Sequence, residues 1–173
     1  MLKQLLKSAA LTVILAAALA AALPAPAARA ESALGARVAR VMDGDTLEVD
    51  AGWALKVKVR LAGVDCPESA GRKWAEQPYA AEAKAYTKAE AEGKDVRILV
   101  TDMDMYRRLV GRVILPDGRD LGAELVRRGL AWAAPQYFKF PLYVDLQTLA
   151  RQERRGLWAG DEPVEPHTWR HRK

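Results

Sequence analysis

Leu55-Lys56-Val57-Lys58-Val59-Arg60-Leu61-Ala62-Gly63-Val64-Asp65-Cys66-Pro67-Glu68 holds two signals in one run. Leu55, Val57, Val59 and Leu61 alternate with Lys56, Lys58 and Arg60, the period-two pattern of a strand with its apolar set turned inward. The pattern stops at Gly63. Asp65-Cys66-Pro67-Glu68 then reads as a loop, because proline removes a backbone donor and restricts the residue before it.

Upstream, Ala36 to Met42 and Thr46 to Asp50 read as two further strands, joined by turn chemistry at Asp43-Gly44. Downstream, Tyr79, Ala83 and Tyr86 fall at helical spacing in an alanine-rich run that stops at Gly93. Val96, Ile98 and Val100 resume the strand period, Leu109 to Leu115 gives a fifth strand, and Leu121 to Arg128 a helix ended by Gly129. A last helix carries Leu142, Leu146 and Leu149 on one face and ends near Gly156. Five strands with an inserted helix and later helices predict an α+β fold, mainly β: a five-stranded OB-type barrel with about three helices.

The ends bound the rest. Lys3 and Lys7, an apolar stretch from Ala9 to Leu23, and Ala28-Arg29-Ala30 match the three regions of a secretory signal peptide. The apolar stretch falls short of the about 20 residues a membrane span needs. The expected organisation is a leader over 1–30, one barrel domain over 31–160 and a basic, loosely packed tail over 161–173, in an exported monomer, periplasmic or extracellular, with no stable membrane association after cleavage. Of 27 Lys and Arg against 22 Asp and Glu, three basic residues leave with the leader, so net charge says little; local convergence of charge matters more. The single cysteine, Cys66, excludes an intramolecular disulfide and reads as a small buried filler, since a nucleophile needs a positioned base. His167 and His171 lie one helical turn apart, but two prolines precede them and no third ligand is near, so a metal pair is discounted.

Taken alone, Asp43-Gly44-Asp45-Thr46 is a turn and Asp65-x-x-Glu68 a wet acidic loop. Together they place carboxylates at the edges of two strands that a barrel can bring to one mouth. Oxygen donors of this kind suit calcium or magnesium, and Asp45, Asp65 and the carbonyl of Cys66 would underfill the ion and leave room for water and a phosphate. Arg60 and Arg108 are the candidate phosphate-facing cations, because the planar guanidinium matches phosphate oxygens. By spacing alone Arg60 also fits a solvated sheet face, and Arg108 beside Arg107 a surface pair.

Val41-Met42-Asp43-Gly44-Asp45-Thr46, Arg60 through Glu68, and Asp104-Met105-Tyr106-Arg107-Arg108 resemble, in order, three signature segments of the staphylococcal nuclease family. Leu125 to Ala131 and Gly156-Leu157-Trp158 resemble its later landmarks, so the resemblance spans about 36–158. It implies calcium held by Asp45 and Asp65 with the Cys66 carbonyl assisting and Asp43 farther out. It also implies Glu68 as general base or water-orienting residue, and Arg60 and Arg108 on the scissile phosphate. The implied substrates are DNA and RNA, single strands preferred, cut with little sequence preference to leave 3′-phosphates, with Tyr106 and Tyr137 near the bound nucleotide. Three departures stand out: Cys66 replaces a threonine, Arg107 a glycine and Pro135 a pocket tyrosine. The alternative is a barrel of this fold that binds nucleic acid or protein and has lost catalysis.

Overall fold

The computed structural model describes residues 32–52, 55–72 and 74–172; the leader expected over 1–30 lies outside them. Five strands close into a barrel in the order β1 (Ser32–Asp43), β2 (Thr46–Asp50), β3 (Lys56–Leu61), β6 (Leu109–Ile114), β5 (Asp95–Met103), with β1 closing back on β5. All neighbours are antiparallel except β3 and β6. A separate two-stranded ladder pairs β4 (Val64–Asp65) with β7 (Trp132–Ala133). The helices are α1 (Ala80–Ala91), α2 (Leu121–Arg127), α3 (Pro141–Gln152) and α4 (Pro166–Arg170), with a 3-10 turn at Gly156–Ala159. This is the predicted barrel with one helix more.

The core is the inward set of the alternating strands: Val38, Leu47, Val49, Val59, Ile98 and Val113 are fully buried, covered by Leu121 and Leu125 of α2. Two stripes differ from expectation. Leu55 is 59% exposed and stands before β3, so the inward set of that strand starts later, with half-buried Val57 against the core and then buried Val59 and Leu61. On α3 the buried face is Tyr143, Leu146 and Ala150, while Leu142 and Leu149 face water. Tyr143 turns the helix: its hydroxyl donates to Asp120 at 2.9 Å, and Phe140 packs edge-on against its ring.

The largest correction concerns the C-terminus. Residues 163–171 do not hang free but form a strap that returns to the domain. Pro166 is buried, Trp169 Nε1 donates to the carbonyl of Ala75 at 2.9 Å, and Gln77 Nε2 donates to that of Val164 at 2.6 Å. Indole and amide groups thus supply what a count of charges in the tail does not show.

Candidate active site

Gly44 decides where the first acidic segment lies. A Cβ there would sit 2.8 Å from Cys66 Cβ and 3.1 Å from Ala83 Cβ, so only glycine lets the β1–β2 turn press against the loop after β4. Buried Thr87 of α1 fixes the turn from behind by donating to the Gly44 carbonyl at 2.6 Å. The backbone N–H of buried Cys66 donates to Asp45 Oδ2 at 2.8 Å, and the Leu61 N–H to the Asp45 carbonyl at 2.9 Å. Asp45 and Asp65, distant in sequence, are thereby held together.

Arg60 lies between them, one Nη paired with Asp45 and the other 2.7 Å from Asp65 Oδ1. It points into the acids and not onto the solvated sheet face. Burial opposes its charge, but Asp45 and Asp65 outweigh it and move its pKa up. Burial pushes the Asp65 carboxyl above its ordinary value against the pull of Arg60. Burial likewise raises Glu68, even though Arg170 of α4 pairs with its carboxylate. The Cys66 thiol is pushed well up by burial and by Asp45, which leaves it an inert filler. Asp43 stands farther out, its Oδ1 accepting from Gly44 N–H at 2.9 Å and Ser69 Oγ at 2.8 Å.

A cavity of about 620 Å³ opens over this group, lined among others by Asp43, Asp45, Arg60, Asp65, Glu68 and Arg108. Tyr106 and Tyr137 stand at its rim, 73% and 68% exposed. The candidate metal-holding, catalytic and nucleotide-contacting side chains therefore meet at one place; Cys66 packs beneath it. Arg108 reaches the cavity from the turn after β5. There Asp104 Oδ1 accepts the N–H groups of Tyr106 and Arg108, each at 2.9 Å, and its Oδ2 takes Arg108 Nε at 2.7 Å. Arg107 adopts φ 60°, the left-handed conformation that a glycine would take freely, so the turn survives the substitution and Arg108 stays in place.

Sequence reasoning missed two neighbours. Arg170 lines the cavity and touches both Glu68 and Asp65. Gln77, only 2% exposed, accepts the Glu68 N–H at 3.1 Å and returns its own N–H to the Glu68 carbonyl at 2.9 Å, pinning that residue's backbone from both sides. No spacing rule links positions so far apart. Asp104 was not singled out as the residue that holds Arg108, although an Asp in a turn four residues before it is the kind of signal that could have shown this.

A hard cation fits this donor set. Two carboxylates already converge on one positive group, and carboxylate oxygens are the ligands such ions prefer. Among the described residues no group of three or more His, Cys, Asp or Glu side chains is already arranged to hold a metal ion.

The model of the family described as staphylococcal nuclease homologue matches residues 58–160. This chain belongs to the staphylococcal nuclease family. It is 41% identical over 138 residues to an uncharacterized endonuclease of Escherichia coli, covering 79% of this chain and 85% of that one. It is 34% identical over 134 residues to an uncharacterized endonuclease of Haemophilus influenzae, covering 78% and 71%. It is 36% identical over 120 residues to a staphylococcal-like nuclease of Arabidopsis thaliana, covering 69% of this chain and 35% of that longer protein. Asp43 and Asp45 precede the stretch matched by the family model, and the Gly44 contact is what joins them to it.

Proposed function

We propose that this protein is a calcium-dependent nuclease that hydrolyses phosphodiester bonds of DNA and RNA with little sequence preference and leaves 3′-phosphates. The observation that carries the reading is the convergence of Asp45 and Asp65 in a cavity that also holds Glu68, Arg60 and Arg108. The relatives named as endonucleases and nucleases support it.

Asp45 and Asp65 would hold the calcium ion, with the Cys66 carbonyl assisting and Asp43 outside. When bound, the ion would supply positive charge that offsets the negative charge of the phosphate. Arg60 and Arg108 donate to the phosphate oxygens that gain charge as water comes in line. Glu68 takes a proton from that water as its oxygen bonds to phosphorus. The bond from phosphorus to the 5′-oxygen breaks, and the departing oxygen takes a proton from solvent. Glu68 lines the same cavity as Asp45, Asp65 and Arg108, which suits a general base or a group that orients the water. Exposed Tyr106 and Tyr137 offer stacking faces that suit splayed single strands and carry little sequence information.

The test is cleavage of single-stranded DNA with calcium or with chelator. Calcium-dependent cutting that falls about a hundredfold or more in Glu68→Ala and in Arg108→Ala supports the reading. DNA that is bound but not cut would instead make the chain a binding barrel. Export is proposed from the leader pattern alone, and N-terminal sequencing of protein recovered outside the cytoplasm, starting at Glu31, tests it. Among the described residues no helix is long and apolar enough to cross a membrane. A monomer is proposed, and light scattering checks it.

A further inference from the structure

We infer that the C-terminal strap is a latch on the cation site: in the free protein Arg170 holds the carboxylates of Asp65 and Glu68, and a divalent cation must displace it to bind. One Nη of Arg170 pairs with Glu68 Oε1, and the other lies 3.4 Å from Asp65 Oδ2. The guanidinium thus engages two of the groups that the proposed reaction needs free. A Glu68 oxygen in this ion pair is not available to take a proton from water.

The contact is built rather than incidental. α4 has five residues, and an isolated helix of that length does not persist in water, so its order comes from its docking. Gln77 supplies the dock: the same buried amide that accepts the Glu68 N–H through Oε1 donates to the Val164 carbonyl through Nε2. Strap and proposed base are therefore fastened to one side chain. The indole of Trp169 adds a second fastening at Ala75.

Charge explains the placement. Asp43, Asp45, Asp65 and Glu68 line one cavity, and Arg60 and Arg170 together bring the two positive charges that one divalent cation would bring. Arg60 is fixed on a barrel strand between two carboxylates. Arg170 rides on a short element held by a handful of bonds, so it is the displaceable member. The latch rests on the proposed nuclease reading and adds regulation to it: calcium and Arg170 compete, and the enzyme stays closed until calcium wins.

The experiment is titration of CaCl2 into the purified protein without nucleic acid, followed by calorimetry, with hydrogen exchange of the strap amides in parallel. Apparent affinity is reduced by the fraction of open protein, so Arg170→Ala binds calcium about three- to tenfold more tightly than wild type if the latch is closed most of the time. Arg170→Lys, which keeps the charge but loses the fork, falls between. Strap amides at Trp169, His171 and Arg172 are protected in free wild type and exchange faster with calcium or in Arg170→Ala. Unchanged or weaker calcium affinity in Arg170→Ala overturns the latch, as does a strap that exchanges freely in wild type. A fall in cleavage without tighter calcium binding also overturns it and makes Arg170 a phosphate contact. The two readings separate cleanly. Tighter calcium binding and strap release without nucleic acid cleavage retain the latch and remove the nuclease, whereas calcium-dependent cleavage with equal affinities does the reverse.

Discussion

Arg107 shows how a single residue can carry a conformation its side chain disfavours. The left-handed region costs a non-glycine residue about 1–2 kcal/mol, part of which glycine returns through its greater freedom in the unfolded chain. Arg107→Gly should therefore stabilise the protein by about 0.5–1 kcal/mol, read from the midpoint of urea unfolding at unchanged slope. Cleavage should persist, because Asp104 and not Arg107 holds Arg108. Glu68 offers a second test. Its folded pKa lies above its ordinary value, so just above the usual glutamate range the folded state binds more protons than the unfolded one. In chelator, stability then falls as pH rises through that window and levels off above the folded pKa. Glu68→Gln should flatten that fall in a series of urea titrations across pH. At this scale the resemblance to three signature segments drew attention to Asp45, Asp65, Glu68, Arg60 and Arg108, which line one cavity, whereas spacing alone left Arg60 on a solvated face and Arg108 in a surface pair. Arg170 and Gln77 were not legible, because their meaning arises only from contacts across the chain.

Elements were read well where the period was strong and poorly where a polar atom set the orientation. The existence of α3 was plain, but its leucines suggested the wrong stripe, since the hydrogen bond from Tyr143 to Asp120 buries a residue that a count of aliphatic side chains ignores. The observed stripe makes a sharp contrast. Leu146→Ala should cost about 2–4 kcal/mol, whereas Leu149→Ala on the wet face should stay within about 0.5 kcal/mol. Both are measured by chemical denaturation. The strap was missed for a related reason: prolines and charges describe its composition, while Trp169 and Val164 determine its docking. A landmark that was read correctly has a steric cause. The Gly129 position lies so close to the Arg155 carbonyl that a Cβ would be 2.1 Å from its oxygen, which ties the end of α2 to the turn before Trp158.

For the molecule as a whole, the barrel supplies rigidity and its mouth gathers carboxylates that Arg60 and Arg170 pair. Several carboxylates are kept close by packing, so a ligand that binds only the folded state should stabilise it. Calcium, as the proposed cation, should add about 2.7 kcal/mol at about a hundred times its dissociation constant. The thermal midpoint of wild type should climb with CaCl2, and that of an Asp45→Asn, Asp65→Asn double variant should stay level, as followed by calorimetry. Stability here owes nothing to a disulfide, since Cys66 is alone and buried.

The pairing of β6 has a consequence for incomplete chains. That strand is the stave between β3 and β5, so a chain that stops before Leu109 leaves both of those strands with an open edge. Unpaired edges find hydrogen bonds in whatever strand is nearest, and in a crowded compartment that is another copy. Truncation ahead of β6 is thus a route to aggregation.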